Sequence, residues 1–206
     1  MVFVISNDGP SFYEPMERRT PPDPTWLSLT ERPGWLRLRG RESPQSLHRQ
    51  SLVARNRQHF RVRFETCVDF EPRSFQQLAG LICMYDDQNF HYLAISHDEQ
   101  QGKCIQVLSN QLDVYSEALA TPVPLPAGRL VYLRAEFDAA DLRFFISSDG
   151  SNFTQLGPVL DASTLSDEHT TMGIGFTGTF VGLCVHDMTG GGIVADFDYM
   201  DECVLD

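Results

Sequence analysis

Any chemistry in this chain has to come from its carboxylates, imidazoles, thiols or exposed rings. Carboxylates are the most abundant, with 28 Asp and Glu among 206 residues. Asp86/Asp87, Asp98/Glu99, Asp138/Asp141 and Asp167/Glu168 are the close pairs. Inverting glycoside hydrolysis needs two carboxyls facing each other across a sugar, roughly 6.5–9.5 Å apart. All four pairs fall in predicted turns, where an Asp side chain bonds nearby backbone amides, so they read as turn residues. Asp196 and Asp198 flank Phe197 in the last predicted strand and share a face. They could bind a cation such as Ca²⁺, which favours clustered carboxylate oxygens, although two ligands are too few to claim a site.

The remaining templates fail. There is no G-x-S-x-G, H-E-x-x-H or P-loop, and the Gly-Ile-Gly at 173–175 is strand-like and too short for dinucleotide binding. Six His residues form no ligand pair resembling a metal site; His91 and His97 share an alternation parity and read as structural. The five cysteines (67, 83, 104, 184 and 203) are odd in number, widely spaced and without a C-x-x-C, so they read as free thiols. No catalytic residue is assigned. Aromatics carry more weight: Trp26, Trp35, Phe75, Tyr85, Phe90, Tyr92, Tyr115 and Phe180 are candidates for stacking on a ligand ring or for the core. Phe180 lies between Gly178 and Gly182, where the backbone can turn tightly, so its ring can project from a loop as well as pack inward.

The elements that must position these residues are strands. In 59–70, Phe60, Val62, Phe64, Thr66, Val68 and Phe70 alternate with Arg61, Arg63, Glu65 and Asp69, the pattern of a half-buried strand. Further strands are predicted over 77–85, 90–97, 103–109, 112–117, 131–137, 142–148, 172–176, 180–186 and 196–203, with turns at Asn110-Gln111 and Asp149-Gly150. Only 163–169 hints at a helical turn, with Ser166 as its cap. The fold class is all-β, a two-sheet antiparallel β-sandwich. Residues 1–25, rich in Pro, read as an N-terminal arm or linker, and 26–206 as the sandwich.

A net charge of −12 argues against a nucleic-acid binder, which needs a basic footprint for phosphates. Residues 1–75 carry twelve Arg against nine acids, whereas 76–206 carry nineteen acids against three Arg and one Lys. The sequence offers two readings, a solvated acidic face or an Arg-rich third that packs on an acidic partner domain. No apolar run reaches the ~18 residues of a membrane span, and no secretory leader is visible. The expected compartment is the cytoplasm.

Several segments in matching order resemble the accessory domain of family 43 β-xylosidases and α-L-arabinofuranosidases. They are Glu31–Ser43 (ERPGWLRLRGRES), Leu52–Arg55 (LVAR), Phe70-Glu-Pro, Phe75–Leu81 (FQQLAGL), Phe176–Gly182 (FTGTFVG) and Ala195–Tyr199 (ADFDY). The resemblance implies a concanavalin A-like jelly roll that follows a five-bladed propeller holding the catalytic carboxylates. That propeller has no counterpart in this sequence, so the chain by itself is expected to be inactive. The resemblance further implies that Phe180, in the T-G-x-F loop, closes the active-site pocket of the partner propeller, in cis or in trans. The usual small residue before it is Thr179 here. The implied parent is an inverting exo-acting hydrolase that releases xylose from xylo-oligosaccharides, without a cofactor. A stand-alone carbohydrate-binding module, a purely structural role and a homo-oligomer stay open.

Overall fold

The computed structural model describes residues 23–46, 49–169 and 178–206. Within them the strands are β1 (Leu27–Ser28), β2 (Leu36–Arg39), β3 (Ser51–Asn56), β4 (Arg61–Asp69), β5 (Gln77–Met84), β6 (Asn89–Asp98) and β7 (Gly102–Gln111). Then follow β8 (Val114–Glu117), β9 (Val123–Pro124), β10 (Val131–Asp138), β11 (Asp141–Ser147), β12 (Thr154–Asp161), β13 (Phe180–Asp187) and β14 (Val194–Val204). All strand pairs are antiparallel. Sheet A runs β1-β2-β14-β4-β10-β11-β12; sheet B runs β3-β13-β5-β6-β7-β8, with β9 on β7. The expected two-sheet sandwich is what forms. The predicted strand at 172–176 and residues 1–22 of the predicted arm lie outside the described residues.

The sheets close on one apolar core. β4 contributes Val62, Phe64 and Val68, β10 contributes Leu133, Ala135 and Phe137, and sheet B answers with Leu81, Leu93, Ile95, Val107, Val181 and Leu183. Phe64 and Phe137 meet edge to face, with ring centroids 6.4 Å apart. The inward-facing Thr66 is tolerated because its hydroxyl donates to the Tyr199 carbonyl at 2.6 Å. Phe60 departs from the expected apolar set: it precedes the first paired residue of β4 and is 78% exposed.

Two turn assignments shift. The β7–β8 hairpin turns at Leu112-Asp113, both at positive φ, rather than at Asn110-Gln111. A two-residue hairpin loop needs both central residues in that region to match strand twist. The helical segment is two 3₁₀ turns, Ala162–Leu165 and Asp167–His169. The N-cap of the first is Asp161, whose carboxylate accepts from the Ser163 amide at 2.9 Å, and Ser166 is its C-cap, directly before the second turn. No helix among the described residues is long and apolar enough to cross a membrane.

Candidate functional site

An antiparallel sheet on a sandwich ordinarily wets its outer face. Sheet B does not: every residue of β5 and β13 is buried. Since side chains alternate across a strand, the registers lay rows over that outer face. One row holds Phe180, Met84, Phe90, Asn110 and Tyr115, and the next Gly182, Ile82, Tyr92, Leu108 and Glu117. Cys184, Gly80, Ala94 and Gln106 follow, then His186–Leu78 and Ser96–Cys104. The apolar members form a second cluster, separate from the core between the sheets.

Phe180 is therefore the first residue of β13, with Met84 and Asn56 as its register partners on β5 and β3. It is 1% exposed and belongs to the second cluster, so its ring packs on the sheet instead of projecting from a loop. The two glycines around it differ in purpose. Gly178 has φ +70° and supplies a turn. Gly182 sits inside β13, where an added Cβ would come within 2.3 Å of the Ala54 Cβ, so it serves close strand approach. The approach to β13 is pinned: the Thr179 hydroxyl donates to the Leu165 carbonyl at 2.8 Å, and the Arg57 amide donates to the Thr179 carbonyl at 2.8 Å.

Arg57 is the unusual cation of this end of the molecule. Its guanidinium lies 4.6 Å from the Phe137 ring centroid, and its buried Nη1 has no hydrogen-bond partner. Burial lowers its pKa from the ordinary arginine value. The other arginines of the first third are largely consumed inside the chain. Arg37 forks onto both oxygens of Asp196 at 2.7 and 2.8 Å, and Arg32 bridges Asp196 and Asp69 at 2.8 and 2.7 Å. Arg39 pairs with Glu31, Arg55 with Glu202 and Arg61 with Asp138. The Arg-rich third thus pairs with acids of the same chain, Asp138, Asp196 and Glu202 of the acidic remainder among them, which removes most of the charge expected to face a partner.

The same contacts correct the cation reading. A Ca²⁺ ion at Asp196 would meet two guanidinium groups, and Asp198 is exposed within the register shift between Phe197 and Met200. The donor set does not fit. The turn carboxylates behave as expected: Asp86 accepts from the Gln88 amide at 3.0 Å, and Asp98 from the Gln100 and Gln101 amides at 2.8 Å. His91 is structural, bonded to the Ser109 hydroxyl at 2.8 Å and near the Thr164 hydroxyl at 3.2 Å, and burial lowers it to about 4. The five cysteines are unpaired, and burial pushes Cys67 up to about 11. Trp26 is core, with Arg41 stacked on it at 4.5 Å, and Trp35 is covered by Arg32 at 3.9 Å. Of the candidate aromatics other than Trp35, only Phe75 and Tyr115 are exposed, at 63% and 52%.

Those two rings stand over a groove of about 600 Å³ on the outer face of sheet B. Tyr92 closes its floor, with the hydroxyl donating to the Cys184 carbonyl at 2.7 Å. Tyr115 shares its strand face with Glu117, and burial together with that carboxylate raises its phenol above the ordinary value. His186, on β13, is 8% exposed, lowered to about 4 by burial, and its Nδ1 is buried without a partner. No signal in the sequence distinguished this groove, because its residues come from separate strands and loops.

Residues 16–201 match the family of β-xylosidase C-terminal concanavalin A-like domains. A putative β-xylosidase of Escherichia coli K12 is 42% identical over 183 residues, which is 88% of this chain and 34% of that protein. The xylan 1,3-β-xylosidase of a Vibrio species is 39% identical over 89% of this chain and 34% of its own length. The crystal structure of xylan β-1,4-xylosidase from Bacillus halodurans superposes with a TM-score of 0.86 at 41% identity, covering 88% of this chain and 35% of that one. The chain thus spans about a third of the length of these relatives. With the fold, the strand order of matching segments and this coverage in agreement, the chain belongs to the family of C-terminal concanavalin A-like domains of β-xylosidases.

Proposed function

We propose that this chain works as the accessory sandwich of a xylan-processing glycosidase, docked on a propeller catalytic domain that supplies the carboxylates. Docking occurs at the end of sheet B where Gly178, Thr179 and Phe180 enter β13, and Phe180 narrows the pocket for the terminal sugar of a xylo-oligosaccharide. The observation that carries this placement is Arg57: a buried guanidinium Nη1 without a partner, next to the pinned Thr179 turn. Nη1 is closed off in this chain, so a carboxylate on a docked domain satisfies it once the turn beside it shifts, and an unsatisfied buried donor costs about 1–3 kcal/mol. The covered ring of Phe180 sets a condition on its role, since it must turn out of its cluster when the domains meet.

The test uses the full-length enzyme. Phe180→Leu keeps most of the packed volume and removes the ring, so folding is retained. Loss of one stacked ring, worth about 1.5–3 kcal/mol, raises KM for xylobiose by roughly tenfold to a hundredfold. An unchanged KM together with unchanged kcat sinks the role of Phe180.

A further inference from the structure

We propose that the groove on the outer face of sheet B is itself a binding site for a short, neutral oligosaccharide, built entirely from this chain. Its volume of about 600 Å³ lies within the ~300–1,000 Å³ typical of small-ligand sites. Two features of the groove identify the ligand class. Phe75 and Tyr115 hold exposed rings at the groove walls, and such rings cover the apolar C–H faces of a pyranose. Between them lie groups that donate to or accept from hydroxyls, among them Gln76, Gln106 and Ser96.

His186 adds an imidazole-bearing residue to the groove lining, 8% exposed. Charge narrows the choice further. No Arg or Lys lines the groove among the described residues, and Asp98 and Glu117 do. Phosphate-bearing and uronate-bearing ligands are therefore disfavoured, and neutral pentose or hexose chains remain.

The experiment is isothermal titration of the 206-residue chain with xylotetraose, compared with a xylotetraose carrying a glucuronate branch. Binding to the neutral chain is expected, and weaker binding to the charged one. Phe75→Ala and Tyr115→Ala each weaken the interaction by about tenfold, because each removes one stacking ring. Both residues are exposed, so both variants stay folded, which circular dichroism checks. Phe60→Ala, exposed but outside the groove, changes affinity less than twofold and serves as the control. Absence of binding at millimolar sugar overturns the proposal. So does binding that survives both ring substitutions, or tighter binding of the glucuronate form. None of these outcomes bears on the docking role, which reads out in the KM of the full-length enzyme.

Discussion

The outer faces of the two sheets follow opposite rules. On sheet A, outward positions carry charge, and the charges answer one another: Asp196 with Arg37 and Arg32, Glu65 with Arg134 and with the Tyr199 hydroxyl. On sheet B, outward positions of β5, β6 and β13 are mostly apolar and buried, and toward the exposed strand β8 a groove opens, edged by Phe75 and Tyr115. The lesson concerns recognition. A face whose ion pairs are satisfied internally has little left to offer a partner, since each charge already has its counter-charge within the chain. A face with buried apolar rows and an open groove still has apolar surface and exposed rings to offer a ligand.

Removing volume from sheet B should produce the largest effect. Phe180→Ala is expected to lower stability by about 3–5 kcal/mol, against less than ~1.5 kcal/mol for Phe180→Leu, in urea unfolding. A shift below ~1 kcal/mol for the alanine variant would show that the ring is not packed in the second cluster.

Acid should come next. His91 and His186 are both lowered by burial to about 4 from an ordinary 6.5. The unfolded chain then binds more protons than the folded one between those values, so stability falls as pH drops from about 6.5 toward 4. The loss is expected at ~2–3 kcal/mol per histidine, and His186→Gln should remove its share. A urea midpoint that is flat from pH 7 to 4.5 contradicts this.

Gly80→Ala is smaller, at about 1–3 kcal/mol, because the new Cβ would lie 2.0 Å from the Leu93 carbonyl oxygen and backbone must move. Thermal unfolding measures it.

The smallest effect belongs to sheet A. Burial alone would raise the Asp196 carboxyl, but Arg37 and Arg32 outweigh it and hold it below the ordinary carboxylate range. Its contribution is complete above about pH 3.8 and is lost as pH falls through the depressed value. Asp196→Asn should cost about 1–2 kcal/mol at pH 7 and less near pH 2, since both guanidiniums stay half-solvated. If instead it exceeded Phe180→Ala, the contrast between the two faces would be reversed.

Much of this was legible in the residues. β4 and β10 alternate cleanly because one face is core and the other is wet, and that difference is written at every second position. β5 gives no alternation, because both of its faces are covered; a run such as Leu78–Met84 reveals burial but not what covers each side. Phe180 was identifiable as a distinctive ring between glycines, yet its direction was not, since Gly182 proved to be a packing glycine within a strand. The Asp196 pairing was equally hidden, because Arg32 and Arg37 lie 164 and 159 residues away along the chain.

By itself the sequence determined that the chain forms strands, that they pack as a sandwich, and which family it joins. Those properties follow from period-two burial and from short motifs, both local along the chain. Tertiary structure alone decided that β13 enters between β3 and β5, and β14 between β2 and β4. Those pairings bring Phe180, Tyr92, His186 and Tyr115 onto one face and send Asp196 to the other sheet. The physical reason is that a strand's pattern specifies which side faces the core, while its neighbours are chosen by closure of the whole sheet over long sequence separations.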